Sequence, residues 1–370
     1  MGKLASNRPR TAAAGPAAGG GDDSSESGRA IDGAARVEDA QYDRTLRPRT
    51  LSDYIGQTKH KDNLRVFVEA ARRRGEPLDH LLLCGPPGLG KTTLAHILGH
   101  EMGVSVATTS GPAIEHKGAL AALLTTRIQK NDILFVDEIH RLNSIVEESL
   151  YPALDDCIID VTTGEGAFAS AVQIPIQPFT LIGATTRTGL LTAPLFSRFG
   201  HVIRLDFYSP EDLARIVVRS AKLLGIAVEP DAALEIARRS RGTPRIANRL
   251  LHRVRDFAEV LGVGRIDLAS VRDAAARLEV DQGGLDDMDR RYLRVIIDHY
   301  EGGPVGVDAL AAALAEPRDT LEDVVEPFLV QQGYVGRTPR GRVANRKAYE
   351  ALGREAPARG TKPQGELFED

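Results

Sequence analysis

The sequence predicts an α/β domain with an inserted β-hairpin, followed by a small helical domain and a C-terminal winged-helix domain. Between residues 78 and 210, short apolar runs alternate with helical patterns, which is typical of a doubly wound parallel sheet. Residues 210–280 carry mainly helical signals. After Gly283-Gly284, three helical patterns and a small hairpin continue to about residue 350, and this order indicates a winged helix.

Three apolar runs define the predicted sheet, and each is followed by Gly or polar residues. They are residues 81–84, 133–136 and 179–182. Runs this short and apolar are typical of buried parallel strands, and the functional residues of such sheets lie at the carboxyl ends of the strands. Two further runs, 158–161 and 172–174, flank a Gly-containing loop. They predict a β-hairpin inserted before the third strand.

Composition narrows the class of protein. The chain has 370 residues, of which 42% are hydrophobic and 26% charged, the mixture expected of two or three globular domains. A net charge of −4 excludes a globally basic nucleic-acid coat but allows a local basic patch. The presence of two cysteines excludes a disulfide framework. Because we find neither a long apolar segment nor a signal-peptide pattern, we expect a cytoplasmic protein that contacts no membrane.

The two ends of the chain differ from its body. Residues 1–41 are rich in Ala, Gly, Pro and Ser, and residues 353–370 are similarly polar. Such segments bury too little apolar surface to offset the entropy lost on ordering, so we predict a disordered N-terminal arm and a disordered tail. The predicted domains between them are residues 42–208 for the α/β domain, 209–281 for the small helical domain and 282–352 for the winged-helix domain.

Residues 85–92 carry the strongest motif of the chain. They read GPPGLGKT and match the full G-x-x-x-x-G-K-[ST] phosphate loop, with an apolar strand before it and a helix after it. Glycines let backbone N–H groups close around phosphate oxygens, and the helix N-terminus adds partial positive charge. Lys91 would reach the β- and γ-phosphates, and the Thr92 hydroxyl would bind Mg²⁺. The alternative, a Gly-rich turn without this function, does not explain the flanking strand and helix.

The second predicted strand ends in Asp137-Glu138. A carboxylate at the strand end, Asp137, can bind Mg²⁺ through water, and Glu138 is placed to polarise an attacking water molecule. The alternative is two solvated acids at the end of a strand. In the company of a phosphate loop, the pair favours hydrolysis over nucleotide binding without turnover.

For three further polar residues, the local sequence allows more than one role. Thr186, after the third strand, could hydrogen-bond a γ-phosphate, although Thr is common at strand ends. Arg198 lies between apolar neighbours and either pairs inside the chain or projects towards an anion on a neighbouring subunit. Arg245 lies where a helix begins, and a surface charge is its alternative.

The predicted wing of the third domain carries a basic cluster. Residues 286–350 contain 12 acidic and 9 basic residues, yet residues 337–347 contain five basic residues and no acid. The five are Arg337, Arg340, Arg342, Arg346 and Lys347. Such a strip predicts salt-sensitive, sequence-independent contact with duplex phosphates, and a solvated charged edge is the alternative. The strip contains no aromatic residue that would stack on single-stranded bases.

The phosphate loop, Asp137-Glu138, Thr186, Arg198 and Arg245 occur in the order of the AAA+ ATPases, which the chain resembles. Narrower segments resemble the RuvB family of Holliday-junction branch-migration motors over about residues 42–352. These segments include residues 46–48, 54–57, 79–83, 137–142, 182–187, 241–251, 302–306 and 337–342. The resemblance implies a P-loop AAA+ domain with an inserted β-hairpin, a helical AAA+ lid domain and a winged-helix DNA-binding domain.

The resemblance also implies residue roles at an ATP and Mg²⁺ site. Thr186 would be the first sensor of the γ-phosphate, Arg198 the finger offered to the next subunit, and Arg245 the second sensor. The adenine site would be lined by Leu46, Arg47, Ile55 and Tyr208, and the phosphate site by Gly85, Gly88, Gly90, Lys91, Thr92 and Thr93. Family members often carry a second basic residue two positions before the finger, where this chain has Phe196. Phe196 is therefore not assigned to the site.

The implied function is that of an ATP-hydrolysing motor, in which a homo-hexameric ring pulls duplex DNA and drives branch migration of Holliday junctions. The resemblance places this activity in homologous recombination, DNA repair and the SOS response, with RuvA as partner and RuvC in a resolvase assembly. The hairpin at about 156–175 would dock RuvA, and Arg318, Arg337 and Arg342 would contact DNA. A protein-remodelling or clamp-loader-like machine and a nucleotide-switched transcription regulator are the alternatives.

Overall fold

The computed structural model describes residues 45–163, 170–260 and 264–357. The predicted N-terminal arm, 1–41, and most of the predicted tail lie outside these ranges. Within them, no helix combines the length and apolar character needed to cross a membrane.

The α/β domain is built on a parallel sheet. Its described strands are β1 Leu81–Cys84, β2 Val106–Ser110, β3 Ile133–Asp137, β4 Ile158–Thr163, β5 Ser170–Pro175, β6 Thr180–Thr185 and β7 His201–Arg204. Five of them form one sheet in the order β2-β3-β6-β1-β7, with every neighbouring pair parallel. The predicted strands at 81–84 and 133–136 are confirmed, and the third begins at Thr180. The sequence did not indicate β2, which is largely polar, or the short edge strand β7.

Helices cover both faces of this sheet. They are α1 Thr58–Arg74, α2 Lys91–Met102, α3 Lys117–Thr126, α4 Ser144–Asp155 and α5 Ala193–Ser197. Side chains alternate along a strand, so β1 supplies Leu81 and Leu83 to the core under α1 and α2, and Leu82 to the core under α3 and α4. This arrangement buries β1 on both faces, which explains why its sequence is a continuous apolar run.

The inserted β-hairpin predicted before the third sheet strand is confirmed. Strands β4 and β5 pair antiparallel, with Ile159 opposite Ile174. Ile159 is fully buried in the core under α3 and α4, whereas Val172 is exposed. The connecting residues 164–169 lie outside the described ranges.

In the small second domain, the described residues 209–260 and 264–281 form four helices: α6 Pro210–Leu223, α7 Pro230–Arg238, α8 Pro244–Val260 and α9 Leu268–Arg277. The predicted capped start is present, because the Ser209 hydroxyl accepts a hydrogen bond from the Asp212 N–H at 3.1 Å. Leu213, Ile246 and Leu250 belong to the same core as α1 and α2. The helical domain therefore packs directly on the α/β domain.

The third domain has the predicted winged-helix order. Helix α10 Asp287–Arg294 continues as a π-helical turn, Val295–His299, and α11 is Val307–Leu314. Next come three consecutive helical pieces, Arg318–Thr320, Leu321–Val325 and Glu326–Gln331, which we call α12. The wing is the antiparallel hairpin β8 Val335–Thr338 and β9 Gly341–Ala344, and α13 is Arg346–Ala351. A separate core holds these elements together and includes Tyr292, Ile296, Leu310, Leu329 and Val335.

The chain stays on the third domain after α13. The Arg354 N–H donates to the Tyr349 carbonyl oxygen at 2.8 Å, and the Arg354 guanidinium pairs with Asp298. The first residues of the predicted tail therefore contact the winged-helix domain.

Candidate nucleotide site and DNA-binding surface

A cavity of about 380 Å³ opens at the carboxyl ends of β1 and β3, where the three domains meet. Most of the residues predicted for the nucleotide site line it. They are Leu46, Arg47, Ile55, Gly88, Gly90, Lys91, Thr92, Thr93, Asp137, Glu138, Thr186, Tyr208 and Arg245. Gly85 and Arg198 are not among its lining residues.

The phosphate loop wraps the start of α2. Gly85, Gly88 and Gly90 have φ angles of 140°, 81° and 96°, a region that residues with a side chain rarely adopt. A Cβ atom at Gly85 would also lie 2.8 Å from the Leu205 carbonyl oxygen. Both observations explain why the loop is built from glycine.

Lys91 turns back onto its own loop. Its ammonium donates hydrogen bonds to the carbonyl oxygens of Gly85, at 2.7 Å, and Pro86, at 2.9 Å. Burial lowers the pKa of Lys91 from its ordinary 10.5 to about 8, against the opposite influence of Asp137 and Glu138. A phosphate group would add negative charge beside this buried ammonium and so favour its charged form.

Glu138 follows β3 and is held from several sides. Its backbone is left-handed, with φ 48°, and its N–H donates to the Asp137 carboxylate at 3.0 Å. The Thr186 hydroxyl donates to Glu138 Oε2 at 3.3 Å, and His140 Nδ1 lies 3.2 Å from the same oxygen. His140 Nδ1 is also 2.9 Å from the Thr185 hydroxyl. Burial and the neighbouring Asp137 charge raise the pKa of Glu138, which suits a group that accepts a proton.

The opposite end of the cavity is apolar and aromatic. The Tyr208 hydroxyl donates to the Tyr54 hydroxyl at 3.0 Å, and burial raises the pKa of Tyr54 to about 12. The Arg219 guanidinium donates to the Leu46 carbonyl oxygen at 2.7 Å and so ties α6 to the segment before α1. A flat, partly apolar base fits this end, and phosphates fit the other.

Arg245 joins the helical domain to the phosphate loop. Its N–H donates to the Gly88 carbonyl oxygen at 3.4 Å, and its side chain lines the cavity. The Arg245 charge is one of those that act on Lys91. A movement of α8 would therefore shift Arg245 relative to the phosphate loop.

Comparison with known proteins agrees with this geometry over nearly the whole described chain. Residues 46–205 match the Holliday junction DNA helicase RuvB P-loop domain, 208–281 the RuvB AAA lid domain and 282–353 the RuvB C-terminal winged helix domain. The structure is similar to the RuvB Holliday junction branch migration motor of Thermotoga maritima at 50% sequence identity and a TM-score of 0.78, covering 85% of this chain and 100% of that chain. The chain belongs to the RuvB family.

Two point mutants of the same Thermotoga RuvB are equally similar, at 50% identity and a TM-score of 0.79, covering 84% of this chain and 99% of each of those chains. The resemblance of the sequence to RuvB is thereby confirmed, as is its fold class of P-loop AAA+, lid and winged-helix domains. Membership of the RuvB family implies a nucleotide-binding ATPase or helicase that acts on DNA.

In this RuvB family member, Arg198 pairs inside its own chain. Its guanidinium donates to both carboxylate oxygens of Asp155, with a shortest distance of 2.6 Å, and to the Pro194 carbonyl oxygen at 2.8 Å. It also lies 4.2 Å from the centre of the Tyr151 ring. Of the two alternatives drawn from the sequence, this is the internal pair. A role towards a neighbouring subunit stays a prediction.

On the wing of this RuvB family member, carboxylates of α12 pair with the arginines. Arg342 donates to Glu322 and Glu326, each at 2.9 Å, and Arg337 donates to Glu326 at 2.8 Å. Arg318 lies 3.3 Å from Glu322. These acids come from α12, outside residues 337–347, so the local sequence did not indicate the pairs. Contact of these arginines with DNA phosphates stays a prediction. Arg340, at the turn between β8 and β9, is exposed.

Sequence reasoning missed several residues of this cavity. Asp53, Tyr54, Ile216, Arg219, Asn248, Asp323 and Val324 also line it. Tyr54 lies in one of the segments that resemble the RuvB family, and this resemblance could have indicated that Tyr54 belongs to the cavity. The two residues from α12 have no such signal, because nothing in their local sequence indicates that the third domain reaches the nucleotide cavity.

Proposed function

We propose that this RuvB family member is an ATP-driven motor that works as a hexameric ring on duplex DNA and drives branch migration of Holliday junctions. The supporting observation is the single cavity that gathers the phosphate loop, Asp137-Glu138, Thr186 and Arg245 beside a winged-helix domain. ATP with Mg²⁺ is the proposed ligand. Homologous recombination, DNA repair and the SOS response are the proposed context.

The residues present fit a bound Mg²⁺·ATP. The Thr92 hydroxyl and the Asp137 carboxylate line the same cavity, and both are oxygen donors of the kind that Mg²⁺ takes. When bound, the ion would neutralise part of the phosphate charge. Thr92 and Asp137 are accordingly the proposed metal-binding residues.

The proposed mechanism assigns the remaining steps to residues of this chain. Lys91 exchanges the carbonyl oxygens of Gly85 and Pro86 for phosphate oxygens. Glu138, oriented by the Thr186 hydroxyl, positions the attacking water and accepts its proton. Arg245 carries the state of the phosphates to the helical lid. These groups act by positioning and by charge stabilisation, which dominate phosphoryl transfer.

Arg198 is the proposed arginine finger of the neighbouring active site. For this role its guanidinium must leave Asp155, an exposed partner whose side chain is 47% accessible. The pair lies partly in water, which screens it, and the doubly charged phosphate of a transition state is a stronger partner for a guanidinium than a single carboxylate, so it can replace Asp155. Turnover would then require a neighbour in the ring.

DNA is assigned to the winged-helix domain and RuvA to the inserted hairpin. The winged-helix domain, through Arg318, Arg337 and Arg342, is proposed to contact the duplex backbone. The hairpin at about 156–175 is proposed to dock RuvA, and its exposed Val172 is compatible with an apolar contact. RuvC is proposed to join the same junction as part of a resolvase assembly.

The proposal is tested by measuring ATP hydrolysis by the purified chain, alone, with a four-way DNA junction, and with the junction plus RuvA. Junction dissociation is scored in the same samples. We expect dissociation that requires ATP, junction and RuvA together. Hydrolysis without junction movement would contradict the motor and favour a protein-remodelling machine, and sequence-specific duplex binding without DNA-stimulated hydrolysis would favour a regulator.

A further inference from the structure

A carboxylate of the winged-helix domain lines the nucleotide cavity. Asp323 and Val324, both in the π-helical turn of α12, share this cavity with Glu138 and Thr186. The other lining residues belong to the first two domains. No step of the proposed mechanism uses Asp323.

Asp323 is fixed in this position by Arg187. The Arg187 guanidinium donates to both Asp323 carboxylate oxygens, each at 2.7 Å, and to Asp319 at 3.0 Å. A bidentate pair of this kind holds both side chains in one geometry. Arg187 directly follows Thr186, so the contact places Asp323 at the end of the cavity where the third phosphate is expected.

The charge at this end of the cavity matters because ATP and ADP differ there. ATP brings an additional charged phosphate to a wall where the carboxylates of Asp137, Glu138 and Asp323 lie in the same cavity as the cations Lys91 and Arg245, and each carboxylate there opposes the added negative charge. Asp323 lines this wall together with Glu138 and Thr186, so its charge acts on the reaction end of the site.

We propose that Asp323 is a specificity-determining residue of the nucleotide site, which lowers the preference for a nucleoside triphosphate over a diphosphate while the winged-helix domain contacts Arg187. The inference rests on the proposed function in one respect, that the cavity binds nucleotide. The same α12 carries Arg318, so any displacement of α12 by DNA also removes the Asp323 charge from the cavity. DNA contact would then raise the affinity for ATP.

The experiment measures the dissociation constants of ADP and of a non-hydrolysable ATP analogue, both with Mg²⁺, on the full chain. In Asp323→Asn, we expect the ratio of the ADP constant to the analogue constant to rise roughly three- to tenfold, from the loss of one charge at partly screened distances. Asp323→Glu keeps the charge and should keep the ratio. Val324→Asp adds a carboxylate to the same wall and should lower the ratio.

Asp319→Asn is the matched control. It makes the same charge change in the same helical segment and at another Arg187 partner, but Asp319 does not line the cavity. We expect its ratio to stay at the wild-type value. An unchanged ratio in Asp323→Asn, or an equal rise in Asp319→Asn, would overturn the proposal. ADP binding checks that each variant retains the site, whereas a wild-type chain that binds neither nucleotide would overturn the proposed function as well.

Discussion

In the nucleotide cavity, charged side chains face an open space of about 380 Å³, whereas on the wing the predicted DNA-binding arginines are already paired with carboxylates. Lys91 illustrates the first region, because its buried ammonium has a lowered pKa and lies against backbone carbonyls. Arg342 illustrates the second, because it pairs with both Glu322 and Glu326. A phosphate ligand therefore supplies hydrogen-bond acceptors to Lys91 in the cavity, whereas on the wing it must compete with existing ion pairs.

The largest effect on ATP turnover is expected from Arg198, which is proposed to act on the nucleotide site of a neighbouring subunit. Arg198→Ala should lower ATP turnover by about 10³-fold or more, the range of an arginine finger, because the neighbouring site loses its transition-state charge. ATP binding should change little, since Arg198 does not line its own cavity. Steady-state hydrolysis and equilibrium nucleotide binding measure the two effects.

Asp155→Asn is the control for this variant, because it releases Arg198 from its internal partner and keeps the guanidinium. It should retain most of the turnover. Unchanged turnover in Arg198→Ala would contradict a finger in trans, and so would a failure of mixed rings of Arg198→Ala and Glu138→Gln subunits to recover activity.

The next largest effect on ATP turnover is expected from Glu138, which lines the cavity of its own subunit. Glu138→Gln should lower turnover by roughly 10²- to 10⁴-fold, since the amide cannot accept the proton of the attacking water. ATP binding should persist, because Lys91 and the loop remain. Glu148→Gln, the same change at an exposed position of α4, should leave turnover unaltered. Turnover in Glu138→Gln close to wild type would remove Glu138 from the mechanism.

The affinity of the cavity for ATP should depend on pH because Lys91 is buried there. Lys91 has a pKa of about 8 in the nucleotide-free chain, and bound phosphates favour its ammonium form, so its pKa is higher in the complex. As pH rises above 8, the free chain loses this proton before the complex does. The affinity for ATP should therefore fall, by at most about tenfold per pH unit.

Equilibrium binding between pH 7 and pH 9.5 measures this dependence, together with proton uptake on binding in buffers of different ionisation enthalpy. Lys91→Arg keeps a positive charge at all these pH values and should show a flat profile if it still binds. A wild-type profile that is flat through pH 9 would mean that Lys91 stays charged without nucleotide.

The same contrast explains what could be predicted from the sequence. The phosphate loop and Asp137-Glu138 could be predicted because each motif is contiguous and lies at the end of a buried strand. The wing pairs could not, because Glu326 is 11 residues from Arg337 and 16 from Arg342 in the chain. Asp323 could not be assigned to the cavity for a related reason, since its place depends on how the third domain packs on Arg187. Thr186 was predicted, but its contact with Glu138 required the sheet order that puts β6 beside β3.

The smallest expected effect concerns the wing. If the carboxylates of α12 compete with DNA phosphates, Glu322→Gln should strengthen duplex binding by a few-fold, because it releases charge on Arg318 and Arg342 at once. Arg342→Ala should weaken binding and reduce the dependence of log affinity on log salt by about 1. Both are measured by salt titration of duplex binding, with basal ATP hydrolysis as the check that the cavity is intact.

Arg346→Gln provides the matched control, since Arg346 is highly exposed and pairs with Glu350 of its own helix. The change in duplex affinity in Arg346→Gln should be that of losing a surface cation that has no buried partner. If Glu322→Gln weakens duplex binding, the α12 carboxylates hold the arginines in place for DNA and do not compete with it. In that case the wing would resemble the cavity, where neighbouring groups orient a charged side chain for its ligand. The ion pairs of the wing would then assist ligand binding, and the two regions would not differ in this respect.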